Sequence, residues 1–233
     1  MGKKNFVLIF IWFTTNLQAQ LHEVGLSIGG SNYVGDIGAN GLIRPNAPAT
    51  GFIYKYNKNP RISYRASITA MRLVATNSDS KNEIQQQFDT PVNKTITEFA
   101  AGIDFNFNEY KISHWKKARS PYLIFGLAAF VYKNKSGTAE NTSYTPQLAL
   151  ALPFGFGYKA QLSDHIVLGI ETRIRYTFTD DLDDSEFYKN EILTDNPKNS
   201  KFGNPDTNDW YVFTGFTITY TFGKALSYTT RRY

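Results

Sequence analysis

Side chains in a β-strand alternate between two faces, so an apolar residue at every second position marks a strand with one dry side. That period of two recurs eight times along the 233 residues of this chain. It is clearest near the end, in NDWYVFTGFTITYTFG from Asn208 to Gly223. Trp210, Val212, Thr214, Phe216, Ile218, Tyr220 and Phe222 share one face. Tyr211, Phe213, Gly215, Thr217, Thr219 and Thr221 share the other. A strand of a soluble sandwich also alternates. An apolar band with aromatics at both ends, opposite a small and hydroxylated face, is the pattern of a strand that crosses a bilayer in a closed barrel. From Trp210 to Phe222, at roughly 3.3 Å per residue and a tilt of about 40°, such a strand reaches about 30 Å.

The earlier strands follow the same rule. Strand 1 is predicted from Leu21 to Gly30, with Val24, Leu26 and Ile28 opposite Glu23, Gly25, Ser27 and Gly29. Strand 2 sets Phe52, Tyr54 and Tyr56 against Ile53 and Lys55 and ends in the turn Asn57 to Pro60. Strand 3 starts near Arg61, with Ile62, Tyr64, Ala66 and Ile68 opposite Ser63, Arg65, Ser67 and Thr69. Strand 4 places Thr97, Phe99, Ala101, Ile103, Phe105 and Phe107 against Glu98, Gly102, Asp104 and Asn106. Strand 5, Pro121 to Tyr132, alternates weakly, because Ile124 and Phe130 fall on the face assigned to the interior. Strand 6 carries Leu148, Leu150, Leu152, Phe154, Phe156 and Tyr158 opposite Ala149, Ala151, Gly155, Gly157 and Lys159, and Pro153 predicts a bulge or irregularity. After the tight turn at Ser163 and Asp164, strand 7 opposes Ile166, Leu168, Ile170, Ile174, Tyr176 and Phe178 to Gly169, Glu171, Arg173, Arg175 and Thr177.

Loop lengths test this arrangement independently. The first, third, fifth and seventh connections (Ser31 to Pro48, Thr76 to Lys94, Lys133 to Gln147, Asp180 to Asp209) are predicted long. The second and sixth are tight, and the fourth, Lys111 to Arg119, is intermediate. Outer-membrane barrels have short periplasmic turns and long external loops, whereas a sandwich has no reason to segregate long loops at one end. The predicted fold is all-β: an eight-stranded antiparallel transmembrane barrel of the outer membrane, with both mature termini in the periplasm. Its inward face carries Glu23, Lys55, Arg65, Glu98, Asp104, Lys159, Glu171, Arg173 and Arg175. Eight strands enclose a space that side chains just fill, and an unpaired buried charge is costly, so these groups are expected to pair into a polar plug. A proton or ion path has no support beyond the charges themselves, and an open pore does not fit so narrow a barrel.

Composition changes the picture mainly at the N-terminus. Lys3 and Lys4 precede the apolar run Phe6 to Phe13, and Leu17-Gln18-Ala19 offers a cleavage site, which predicts an export signal over 1–19 and a mature start at Gln20. The barrel is assigned to 20–223 and a periplasmic tail to 224–233. The apolar run is too short to span a bilayer as a helix, and no cysteine follows it to carry a lipid anchor. Cysteine is absent altogether, so no disulfide frame is expected. The net charge of +5, which becomes +3 without Lys3 and Lys4, gives no case for nucleic acid in an exported chain.

Catalytic chemistry finds little material. The only histidines, His22, His114 and His165, are all predicted at the periplasmic end, leaving no external imidazole for general-base work. The run Asp180-Asp181-Leu182-Asp183-Asp184 could attract a cation, but it lacks the glycine turn and terminal glutamate of an EF-hand loop. The glycines from Gly29 to Gly41 follow a strand and open no helix, which excludes a dinucleotide loop. No enzyme, cofactor or metal is predicted. The periplasmic side looks more like a docking surface: Lys111, His114, Trp115, Lys116, Lys117 and Arg119 in the fourth connection, and Lys224, Tyr228, Arg231 and Arg232 in the tail. Basic residues beside aromatics suit a protein partner or lipid head groups, and also a plain basic rim.

Several stretches resemble one family. LHEVGLSIGGSNYVGDIG (Leu21 to Gly38), YKYNKNPRISYR (Tyr54 to Arg65), YTFTDDLDD (Tyr176 to Asp184) and FGNPDTNDWYVFTGFTITYTFG (Phe202 to Gly223) are similar to the PorG-type barrels of the type IX secretion system of Bacteroidetes. The middle, Thr76 to Gln147, is less distinctive. The resemblance implies a non-enzymatic part of a protein-export machine that ties a periplasmic ring, built from a lipoprotein and its partner, to the outer membrane. It brings no catalytic residues. Its motif residues Gly29, Gly30, Asn32, Tyr33, Gly35 and Asp36 are expected to shape the first loop. The other reading is a free-standing barrel that serves adhesion or envelope integrity through its external loops.

Overall fold

The computed structural model describes residues 21–35, 41–75, 92–112, 117–138, 141–179, 182 and 208–223, with backbone alone at 135–138 and 141–142. The predicted export signal, the tail and most of the acidic loop lie outside them. Each alternating stretch is a strand: β1 (Leu21–Val34), β2 (Ala47–Asn57), β3 (Ile62–Ala75), β4 (Val92–Asn106), β5 (Arg119–Thr138), β6 (Asn141–Gln161), β7 (Ile166–Thr177) and β8 (Trp210–Gly223). Every strand pairs antiparallel with its sequence neighbours, and β1 pairs with β8, so the sheet is a closed barrel of eight strands. The closing seam runs unbroken from Leu21 opposite Gly223 to Val34 opposite Trp210. Its backbones come close: a Cβ on Gly25 would lie 1.9 Å from the carbonyl oxygen of Ile218, so only glycine fits there.

The pattern of polarity is inside out relative to a water-soluble protein. Phe52, Leu127 and Leu148 are 71%, 68% and 71% exposed on the outer face, while Glu23, Glu98, Asp104 and Arg175 are fully buried. An apolar exterior that wraps the whole sheet is stable only in lipid, and closure leaves no unpaired strand edge in the hydrocarbon. This is a membrane-spanning barrel. Rings of aromatics bound the apolar belt. At the end where the chain starts and β8 finishes, here the terminal end, His22 stacks on Phe222 (5.5 Å), Tyr56 on Tyr64 (6.0 Å) and His165 on Tyr220 (5.4 Å). At the opposite end, here the loop end, Trp210 meets Tyr176 (5.1 Å) and Phe154 (6.1 Å) edge to face. Trp210 and Tyr220 are ten residues apart on β8, which spans roughly 25 Å at the usual rise and tilt, the height of an outer-membrane apolar band.

The structure corrects or sharpens the sequence reading in four places. β1 continues through Val34 and β4 starts at Val92, so the first and third loops are shorter than expected. The fifth connection is not a long loop. β5 and β6 stay paired from Arg119 opposite Ala160 up to Thr138 opposite Asn141 and form a ribbon that projects from the loop end. Beyond the bilayer neither face must be apolar, so the period of two fades while backbone pairing continues. At Pro153 the expected bulge or irregularity is a gap in pairing and not a bulge. The β5–β6 register is the same on both sides of it, but the pairs at Gly126 and Leu127 are missing, while Pro153 still sits opposite Arg175 of β7. Its missing N–H lies on the β5 side, and only that ladder is interrupted. Finally, the interior is not polar throughout. Ile124, Phe130 and Tyr132 of β5 are buried inside, and Phe130 and Tyr132 join Met71, Leu73, Ile96, Tyr211, Phe213 and Leu182 in an apolar and aromatic core toward the loop end.

Candidate functional site

All nine predicted interior charges are buried within the barrel. Seven of them form two linked groups, and Glu23 and Lys159 stand apart. In the first, Arg65 of β3 reaches across the lumen to β4 and β7. Its Nη2 donates to Asp104 (3.0 Å) and to Glu171 (2.8 Å), and its Nη1 donates to Glu171 (3.0 Å). Lys55 lies 3.2 Å from Asp104, and Arg173 lies 3.1 Å from Glu171. The Tyr122 hydroxyl donates to Glu171 at 2.7 Å. The fork of an arginine matches two carboxylates in fixed directions, so this group ties β3 and β4 to the distant β7.

The second group is tighter. Arg175 donates from Nε (3.0 Å) and Nη2 (2.9 Å) to the two oxygens of Glu98, and the Tyr211 hydroxyl donates to the same carboxylate at 2.7 Å. Arg175 Nη1 also donates to the carbonyl of Arg173 (3.0 Å), which joins the groups. The Arg173 guanidinium lies 4.7 Å above the ring centroid of Phe213, where the charged layer meets the apolar core. Sequence reasoning missed Tyr122, Tyr211 and Lys94. Lys94 has the inward parity of Glu98 and hydrogen-bonds Asn134, so extending the inner face of strand 4 by two pairs of residues would have found it. Parity puts Tyr211 on the face opposite the apolar belt, but parity alone does not show what a hydroxyl reaches.

Toward the terminal end the pairing is looser. Glu23 accepts hydrogen bonds from Asn57 (2.8 Å) and Thr219 (2.7 Å). Lys159, only 1% exposed, has no hydrogen-bond partner, and its ammonium faces the rings of Tyr110 (4.3 Å) and Tyr122 (5.2 Å). Tyr110 belongs to the β4–β5 connection but is buried against Ala118 and Val167, so it closes the mouth over the charged layer. Burial pushes its phenol well above the ordinary tyrosine range. With the mouth filled at one end and the aromatic core at the other, side chains block the lumen at both levels.

The candidate docking residues fall into two sets. Lys111, Lys117 and Arg119 are exposed at the terminal end. His114, Trp115, Lys116, Lys224, Tyr228, Arg231 and Arg232 lie outside the described residues. The connection is less basic in effect than its sequence suggests, because Lys117 pairs with Asp164 of the β6–β7 turn (2.6 Å) and Lys111 with Glu109 (2.7 Å). The hydrogen-bonded Lys111 ammonium holds the Glu109 carboxyl below the usual carboxylate range. The Ala118 N–H donates to Gln161 (3.2 Å) and the Tyr110 N–H to the Pro60 carbonyl (2.9 Å), so the connection is pinned to the barrel at both of its ends.

At the loop end the first-loop motif acquires a role. The Tyr33 hydroxyl donates to Asp209 just before β8, and Asp209 also accepts the Leu182 N–H (2.9 Å). A Cβ on Gly35 would sit 2.0 Å from the Tyr33 hydroxyl and 2.6 Å from Asp209, so any side chain there would displace a member of this latch. Asn32 accepts the Arg44 N–H (3.2 Å) and donates to the Leu42 carbonyl (3.2 Å), which folds the first loop back over the rim. Asp209 is thus a structural acid; Asp36 and the other loop acids lie outside the described residues. His22 and His165 are at the terminal end, His22 against Tyr54 (2.8 Å) and His165 against the Thr221 carbonyl (3.0 Å), whereas His114 is not described. Among the described residues no three histidines, cysteines or acids converge as a metal site.

Several solved structures are similar to this chain. The chain is 12% identical to the N-terminal β-barrel domain of OprF from Pseudomonas aeruginosa (88% of this chain and 98% of that one covered, TM-score 0.45). It is 13% identical to Ail, the attachment invasion locus protein of Yersinia pestis (88% and 100%, TM-score 0.46). It is 10% identical to Neisserial surface protein A (88% and 98%, TM-score 0.47). No curated protein matches the sequence. The sequence model of one family, described as "Domain of unknown function (DUF6089)", matches residues 3–231, and the chain belongs to that family.

Proposed function

We propose that this protein is a non-enzymatic barrel of the outer membrane that serves the type IX protein secretion system by holding its periplasmic ring, a ring-forming lipoprotein and its partner, at the membrane. The observation that carries the proposal is the β4–β5 connection. It is anchored by Tyr110 in the mouth, by Gln161 beneath Ala118 and by the Lys117–Asp164 pair, and it presents Lys111, Lys117 and Arg119 from a rigid base. A lumen blocked by side chains suits an anchor and not a conduit. The motif resemblance supplies the identity of the machine, and the apolar belt with two aromatic rings supports the outer membrane as its site. The test is a photo-crosslinker at Lys117 or Arg119 in the full chain, together with deletion of the gene. Crosslinks to the ring lipoprotein or its partner and loss of cargo secretion are expected. Intact secretion without crosslinks would overturn the reading.

A second reading, adhesion at the cell surface, is favoured by the β5–β6 ribbon, which exposes Tyr144 (63%) at the loop end. Replacing 136–145 by a short turn separates the two. Adhesion lost with secretion intact supports the second reading; secretion unchanged with adhesion unchanged leaves the ring contact as the function.

A further inference from the structure

The apolar belt is indented on one side by a depression of about 510 Å³, within the range of roughly 300–1,000 Å³ that ligand sites occupy. Register explains it. Leu26, Phe52, Ile68 and Phe99 form one row across β1 to β4, and His22, Tyr56, Tyr64 and Ile103 form another nearer the terminal end. The row between them contains Ala66 opposite Ala101, and Ala66 makes a low floor between bulky walls. Tyr54, opposite Ala66, forms the side that leads to the terminal end.

Beyond the depression, one row nearer the terminal end, the surface turns polar and cationic. The Tyr54 hydroxyl is 2.8 Å from His22 Nδ1. Lys58, exposed in the β2–β3 turn, donates to the Tyr64 hydroxyl at 3.2 Å and lies 5.6 Å from its ring centroid. We infer that this is a phospholipid site: one acyl chain lies over Ala66 between Phe52, Ile68 and Tyr54, and the phosphate sits against the Lys58 ammonium and the tyrosine hydroxyls. The chemistry selects this occupant. An extended peptide would find no hydrogen-bond partners along walls made of hydrocarbon, and each unmet backbone group is costly in lipid. A methylene chain needs none. A cation at the interface beside amphipathic aromatics attracts an anionic head group.

Native mass spectrometry of the full-length protein tests this, after detergent delipidation and addition of an equal mixture of phosphatidylglycerol and phosphatidylethanolamine. The wild type is expected to keep a lipid adduct and to prefer phosphatidylglycerol. Ala66→Phe fills the floor and is expected to reduce retention roughly tenfold. Ala70→Phe, an outward alanine on the same strand nearer the loop end, leaves it unchanged. Lys58→Ala, in an exposed turn, keeps the lipid but loses the head-group preference. Heat-dependent gel mobility confirms that each variant is folded, and the Lys58 arm stands alone if Ala66→Phe does not fold. Equal retention by wild type and Ala66→Phe, equal loss in Ala70→Phe, a preference unmoved by Lys58→Ala, or a retained protein in place of lipid would each overturn the site.

Discussion

At the scale of single residues, the interior sets a fully paired charge, Glu98, against Lys159, which has no hydrogen-bond partner. Glu98 satisfies Arg175 and Tyr211 together, and no water reaches them. Removing one partner of a buried pair strands the other, at a cost of about 3–5 kcal/mol. Glu98→Ala should lower stability by that amount in urea titrations of the detergent-folded protein. The double change Glu98→Ala with Arg175→Met should recover most of it, because the stranded cation is gone. Lys159 makes the opposite prediction. Its ammonium is buried without a hydrogen-bond partner, so Lys159→Met should change stability by less than about 1 kcal/mol or raise it. A loss as large as that of Glu98→Ala would show that Lys159 is held by its distant neighbours more firmly than its contacts suggest.

At the scale of elements, the latch between the start of the first loop and the start of β8 sets the stability of the loop end. Tyr33→Phe leaves the buried Asp209 short of one donor, which costs about 1–3 kcal/mol. Added protease should then cut the β7–β8 connection faster while the barrel itself resists. Gly35→Ala should do at least as much, since its Cβ collides with both members of the latch. Strand order and facing were legible in the sequence because lipid on one side and a filled lumen on the other impose a strict period of two. They were illegible where that pressure stops. The ribbon of β5 and β6 beyond Tyr132 carries Lys133, Asn134 and Lys135 in sequence, which reads as loop although the backbones pair. Removal of its tip should leave heat-dependent gel mobility unchanged, because none of the interior charge pairs touches it.

At the scale of the whole molecule, the barrel is a filled cylinder. Planar-bilayer recordings should show no stable conductance, since Phe130, Tyr211 and Phe213 close one level and Tyr110 the other. A steady open channel would mean that one of these levels moves aside. The sequence indicated that charged residues point inward, from parity alone, but not which residues they meet. Arg65 and Glu171 are 106 positions apart, and Arg175 and Glu98 are 77 apart, so their pairing depends on barrel registers that no local pattern encodes. The docking surface was legible only as composition, and Asp164 and Glu109 neutralise part of it from within the fold.

The seam between β1 and β8 has a temporal consequence. Glu23 near the start of the described chain accepts a hydrogen bond from Thr219, 196 positions later. Contacts this distant in sequence form late, after the entropy of closing the longest loop has been overcome. Until then the first strand is an unpaired edge with apolar side chains, the kind of surface that aggregates in water. The chain therefore has to be kept from collapsing until its last strand has been delivered, and a copy truncated before Trp210 should accumulate as a target for envelope proteases instead of as a smaller barrel.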